Sequence, residues 1–234
     1  VLWYQGESDA NKEAAKMYTQ NMKNLVQATR DDMGIEQLPW LVVQIGCHAA
    51  PDGKYWNSVQ EQQRLLPKLI EKIDVAPTVD LSIDDGIHIS GVGQQMLGKR
   101  LARLASRLVF KDRKEKGGIY LKGVSCAVKS PKPGDPKTTV VELEYGNIKG
   151  KLQSQGLPTG FSIIDAQGKV FPSLYKITLR ANRVLLETGQ TMDLLKALAV
   201  SYGHDRHPYC NITDADGMSL PAMQRVPIRG SDAS

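Results

Sequence analysis

Asp85 and His88 stand three residues apart in the string DDGIH, just before a helical stretch. A carboxylate and an imidazole at that loop spacing can meet. An imidazole held at one nitrogen by a carboxylate can take a proton at the other. The same spacing also suits a structural loop in which Asp85 turns the backbone and His88 fills the approach to the helix.

Two more strings place polar groups in the same way. Gln5-Gly6-Glu7-Ser8-Asp9 follows the apolar run VLWY, and Gly46-Cys47-His48 follows WLVVQI. In open parallel sheets, ligands bind beyond the carboxyl ends of the strands, so these strings predict one shared rim. Ser8 raises a further possibility. GESDA approaches the nucleophile-elbow pattern, with Ala10 in place of its second Gly. The order Ser8, Asp85, His88 fits an α/β-hydrolase, although an Asp so close before the His departs from that fold. Ser8 or Asp9 can instead cap the next helix. His48 can pack its loop or touch a ligand. His204, Asp205 and His207 have the residue types of a metal site, but they fall between β runs and are read as structural.

The elements that must position these groups alternate in type. Val1–Tyr4, Trp40–Ile45 and Thr78–Ile83 read as strands, short and largely apolar. Between and after them, apolar residues recur at helical steps over 11–33, from Ser58 and from Ser90. Ser58-Val-Gln-Glu61 reads as a capping box, with Pro67 ending or kinking its helix. Strand alternating with helix predicts an α/β, helix-covered parallel sheet. Three strands are few for such a sheet, so strands from outside the chain are expected beside them. KDRKEKGG then reads as a linker. Short alternating runs follow (TTVVELEY, GFSIIDAQGKVF, YKITLRANRVLLET, ALAVSYG), predicting a smaller, sandwich-like β-rich domain. SPKPGDPK cannot be regular structure. The expected division is 1–111 and 112–234, with a disordered tail near 230–234.

Composition narrows the function classes. The 234 residues are 41% hydrophobic and 24% charged, with a net charge of +5. No apolar run of about 18 residues occurs, so no membrane span is predicted. Lys and Arg are scattered. The densest basic segment, Lys111–Lys116, contains two acids and lies in the linker. Without clustered base-stacking aromatics, no nucleic-acid partner is expected. Cys47, Cys126 and Cys210 are far apart and form no CxxC, so no metal site is predicted.

WYQGES, the VQEQQ helix and DGIH before a long helix together resemble the SGNH hydrolases, and more narrowly the sialate O-acetylesterase-like carbohydrate esterases. Tyr202-Gly203, His207-Pro208, Cys210-Asn211-Ile212 and Gly217–Pro221 are similar to the closing segment of those enzymes. The resemblance implies a partial SGNH, flavodoxin-like three-layer sheet followed by the β-rich domain. It implies a serine esterase acting on O-acetylated sialic acid or another acetylated sugar, without metal or organic cofactor. His88 would be the general base, Asp85 its orienting carboxylate and Gln5 an oxyanion donor. Gly6 would allow close approach of substrate, and Glu7 would support the loop. Tyr55 and Trp56 would offer sugar-stacking faces.

The family's nucleophilic Ser lies upstream of WYQGES. Gly123-Val-Ser125 and Gly230-Ser231-Asp232 have the wrong context to replace it. The chain is therefore expected to be the C-terminal portion of a larger esterase, inactive alone and completed by an N-terminal fragment or subunit. A secreted or periplasmic setting follows from the resemblance. The alternatives are a non-catalytic carbohydrate-binding or structural remnant, and an α/β-hydrolase using Ser8.

Overall fold

The computed structural model describes residues 1–49, 53–129 and 137–230. Its first part runs β1 (Leu2–Trp3), α1 (Ala14–Met33), β2 (Trp40–Val43), α2 (Lys54–Leu69), β3 (Ile73–Ala76) and α3 (Gly91–Leu108). The three strands form a parallel sheet in the order β1-β2-β3, with Leu2 opposite Leu41 and Trp40 opposite Ile73. Period-two alternation sorts β2 onto two faces. Trp40 and Val42 pack with Ala15, Tyr18, Met22 and Val26 of α1 and with Val59 and Leu66 of α2. Leu41 and Val43 join Leu97 and Leu104 of α3 in a second cluster. Helices therefore cover both faces, as hydrophobic parallel strands require.

The second part is β4 (Tyr120–Lys129), β5 (Thr138–Gly146), β6 (Gln153–Ser154), β7 (Phe161–Ile164), β8 (Leu174–Arg180), β9 (Arg183–Thr188), α4 (Met192–Lys196), β10 (Ala199–Tyr202), β11 (Ile212–Thr213), β12 (Met223–Pro227) and β13 (Arg229–Gly230). These strands form sheets ordered β13-β4-β5-β9-β8, β12-β10-β7 and β11-β6. Val141, Leu143 and Leu186 of the largest sheet meet Ile163, Val200 and Met223 of the three-stranded one. All of them lie in the cluster that also holds Leu41 and α3. The mixed α/β architecture is thus present, and one core runs from the α3 face of the parallel sheet into the β-rich half.

Buried polar side chains fasten the halves. Arg100 donates to both carboxylate oxygens of Asp80 at 2.7 and 2.5 Å and to the Gly217 carbonyl at 2.9 Å. Gln44, fully buried, donates to the Ala222 carbonyl at 2.8 Å and accepts its N–H at 2.9 Å.

Four boundaries differ from the sequence reading. The third strand is Ile73–Ala76, not Thr78–Ile83. Pro77 separates the two runs and has no N–H for a ladder. The later run is a loop that buries Val79 and Leu81. α2 starts at Lys54, before Ser58, and continues past Pro67 to Leu69, its end anchored by the fully buried Leu66. Neither Ser8 nor Asp9 caps α1. The Asn11 side chain accepts from the amides of Glu13 and Ala14 at 3.2 and 3.0 Å. Arg229 and Gly230 are not frayed but pair with Ser125 and Cys126. SPKPGDPK and the tail beyond Gly230 fall almost wholly outside the described residues.

Candidate active site

The loop after β3 is closed by its own backbone. Ile83 and Ile89 form a bridge, and the Ser90 N–H donates to Ser82 O at 2.8 Å. Ser90 then caps α3, its Oγ accepting the Gly93 N–H at 3.1 Å. Within this frame, Asp85 Oδ1 accepts the N–H groups of Ile87 and His88, each at 2.8 Å. Its Oδ2 lies 2.6 Å from His88 Nδ1. The carboxylate is fixed first by backbone and then holds the ring. Both side chains remain open to solvent, 71% exposed for His88 and 55% for Asp85.

The electrostatics follow from those contacts. The Ile87 amide, then the His88 ring and amide, hold the Asp85 carboxyl well below the usual carboxylate range. The Asp85 hydrogen bond raises the His88 imidazole above its ordinary 6.5, with a further contribution from the Glu7 charge. That influence places the end of β1 within electrostatic reach of His88. A general base must be neutral before it can accept a proton, and the protonated ring is the form favoured here. The His88 ring should therefore titrate with its midpoint above 6.5 when followed by NMR on the protein that contains this chain. Asp85→Asn should move that midpoint down. A midpoint at or below the free imidazole value in the unmodified protein contradicts the coupling.

The β1 end is equally constrained. Gln5 Nε2 donates to Asp9 Oδ2 at 2.7 Å, which uses one amide hydrogen and leaves the other. The Gln5 carbonyl accepts from Tyr18 Oη at 3.1 Å and from Gln63 Nε2 at 2.9 Å. Gly6 follows, buried under α2. A Cβ there would lie 2.8 Å from Gln63 Nε2, 3.0 Å from Val59 Cγ1 and 3.1 Å from Ile45 Cγ2. Glycine at position 6 thus lets the strand end pack against the helix. Glu7 is half-buried and Ser8 exposed.

Two positioning residues escaped the sequence reading. Gln60 Nε2 donates to the carbonyls of Ile45 and Gly46 at 3.0 and 2.8 Å. Gln63 Oε1 accepts the Ile45 N–H at 2.9 Å while its Nε2 reaches Gln5 O and Tyr18 Oη. These amides satisfy backbone groups where β1 and β2 end, away from any ladder partner. The signal was legible: Gln60 and Gln63 interrupt the apolar stripe of Trp56, Val59 and Leu66 on α2. Gln63→Leu, close in volume, should cost about 2–3 kcal/mol in a denaturation experiment because it orphans buried backbone and hydroxyl groups. A loss below about 0.5 kcal/mol would mean that those groups find other partners.

Trp56, expected beside substrate, is only 6% exposed. Its Nε1 donates to Gly46 O at 2.7 Å and its ring lies 4.6 Å from that of fully buried His48. Both rings support the loop from beneath. Tyr55 is half-buried, with Lys54 Nζ 5.5 Å from its ring centre. The Ala49 N–H donates to Gly86 O at 2.7 Å, joining the loop after β2 to the Asp85–His88 loop. His204 bonds Gln224 at 2.9 Å, and among the described residues no cluster of three or more His, Cys, Asp or Glu could hold a metal. All three cysteines are buried. No helix of the described residues is long and apolar enough to cross a membrane.

The chain is similar to known proteins in sequence over its first half and in fold over nearly its whole length. Residues 1–107 match the family model described as carbohydrate esterase, sialic acid-specific acetylesterase. A probable carbohydrate esterase of Arabidopsis thaliana is 37% identical over 105 residues, 44% of this chain and 38% of that protein. The crystal structure of a carbohydrate acetylesterase from Xanthomonas citri superposes with a TM-score of 0.76 at 22% identity, over 95% of this chain and 49% of that one. The chain thus spans less than half the length of either. The first comparison carries the esterase resemblance over 1–107, and the last carries the fold across both halves.

Proposed function

We propose, on the premise that residues 1–107 carry the pattern of the sialic acid-specific acetylesterases among the carbohydrate esterases, that this chain is part of a serine esterase of the SGNH type. The enzyme removes O-acetyl groups from sialic acid or another acetylated sugar. The observation that carries the reading is the 2.6 Å contact of His88 Nδ1 with Asp85 beyond the carboxyl ends of a parallel sheet. With Nδ1–H given to Asp85, Nε2 holds the lone pair that takes the proton of an attacking hydroxyl. The serine oxygen bonds to the acetyl carbon. The free N–H of the Gln5 amide and backbone amides receive the oxyanion, a contribution of about 3 kcal/mol for one preorganised donor. His88 then protonates the departing sugar oxygen. Water, deprotonated by His88, releases acetate and restores the serine.

The serine itself comes from polypeptide outside these residues, as the family pattern places it before WYQGES. The open side of β1 supports this. Among the described residues β1 pairs only with β2, and Leu2 is 68% exposed. A further parallel strand beside β1 would cover that side chain and complete a three-layer sheet with an N-terminal segment or subunit. The 234 residues alone are then inactive. Release of acetate from O-acetylated sialic acid and from acetylated xylo-oligosaccharide, measured on the protein that contains this chain, tests the reading. Release that depends on His88 is expected. Absence of acetate from both probes in an intact, folded enzyme would falsify it.

A further inference from the structure

The linker segment Lys111–Lys116, with four cations and two acids, gathers most of its positive charge in one place. Its two carboxylates are turned to other duties. Asp112 Oδ1 accepts the Lys114 backbone N–H at 2.9 Å, and Glu115 bonds Lys149 Nζ through both oxygens at 3.1 Å. Three of its four cations gather on one concavity. Lys111, Arg113 and Lys116 join Lys72, before β3, and Arg107, in the last turn of α3, around a cavity of about 510 Å³. All five side chains are exposed, and none makes an ion pair or hydrogen bond among the described residues. Two carboxylates also border the cavity: Glu115, whose oxygens are held by Lys149 Nζ, and Asp74, which is half-buried and accepts the N–H groups of Gly118 and Val75. Five unpaired positive charges thus share one concavity, in a chain whose whole net charge is +5.

The position separates this cavity from the candidate active site. Lys72 stands at the amino end of β3, whereas Asp85 and His88 lie beyond its carboxyl end. Arg107 is near the last residue of α3, and Gly91, beside the active-site loop, is its first. At 1.5 Å per residue, about 24 Å of helix lies between them.

We infer that this cavity binds an acidic polysaccharide, through carboxylates or sulfates spaced along the glycan. Several like charges in one cavity repel one another, and a ligand with repeated negative charge relieves that repulsion at several points. No aromatic ring lines the cavity to stack a nucleobase. The choice of a glycan over other polyanions rests on the function proposed above; the anion preference does not. Bound here, the polymer would be held at the end of the sheet opposite the esterase rim, tethering the enzyme to its substrate matrix.

Titration of the protein that contains this chain with polygalacturonate at low ionic strength tests this without any need for activity. Binding that weakens as salt is raised is expected. Arg107→Glu with Lys111→Glu should weaken it about ten-fold or more. Lys12→Glu with Lys99→Glu makes the same change in net charge on exposed residues elsewhere and should leave it unchanged. Thermal melting of both variants checks that the fold survives. Equal weakening by the two pairs, or no binding, would overturn the assignment. Tighter binding of single-stranded DNA than of polygalacturonate at equal salt would overturn the choice of glycan. Failure of acetate release with binding intact would remove the esterase reading and leave the cavity.

Discussion

Replacing His88 with alanine in the proposed esterase that contains this chain should lower kcat by about 10⁴- to 10⁶-fold and leave the melting temperature unchanged. The two outcomes have separate causes. The ring is 71% exposed, and its described hydrogen bond is to Asp85, so little packing is lost. Asp85 keeps both backbone N–H partners without it. The reaction, however, loses the group that removes the hydroxyl proton and returns it to the leaving sugar. Asp85→Asn should be less damaging than His88→Ala, because it keeps a ring in place but withdraws the charge that stabilises the imidazolium. Turnover of His88→Ala within ten-fold of the unmodified enzyme, as an order of magnitude, would remove His88 from the chemistry.

The second large effect is on stability. Asp214→Ala should cost about 3–5 kcal/mol in chemical denaturation. Asp214 is fully buried between the halves. Its Oδ2 accepts Arg103 Nη1 at 2.7 Å and the Lys149 N–H at 3.0 Å; its Oδ1 accepts the amides of Asp216 and Met218 at 3.0 and 3.1 Å. Alanine leaves a buried guanidinium without its counter-charge and three amides without an acceptor. Among the described residues, Arg103 is otherwise met by the carbonyls of Lys116, Gly117 and Asn147, and the nearest remaining carboxylate, on partly exposed Asp216, is 4.0 Å away. A loss below about 1 kcal/mol would show that the site relaxes or admits water.

Much of this was readable from residue order. Gly34 ends α1 in the left-handed conformation at φ 62°, and Ser90 caps α3, because both act through local backbone geometry. The alternating runs of the β half appear as β5, β7, β8, β9 and β10 for the same reason. The pairing of Asp85 with His88 was open in sequence and is settled by coordinates, since spacing permits a contact without requiring it. What sequence hid depends on distant partners. IDVA and TVDLSI are similar apolar runs, and only pairing with β2 selects the first. Gln60 and Gln63 show in sequence as polar breaks in the apolar stripe of α2, but what they bond appears only once the ends of β1 and β2 are placed beside them. Trp56 reads as a sugar platform until its indole is found beneath the His48 loop. The basic residues look scattered until Lys72, Arg107, Lys111, Arg113 and Lys116 are found around one cavity.

The central claim is that His88, steered by Asp85, activates a serine supplied by polypeptide other than these 234 residues. Fluorophosphonate labelling of the complete protein, followed by peptide mapping, tests it most directly. The account predicts a single labelled serine on a peptide outside this chain, with labelling abolished by His88→Ala. A label on Ser8, or no label in an enzyme that still releases acetate, would contradict it.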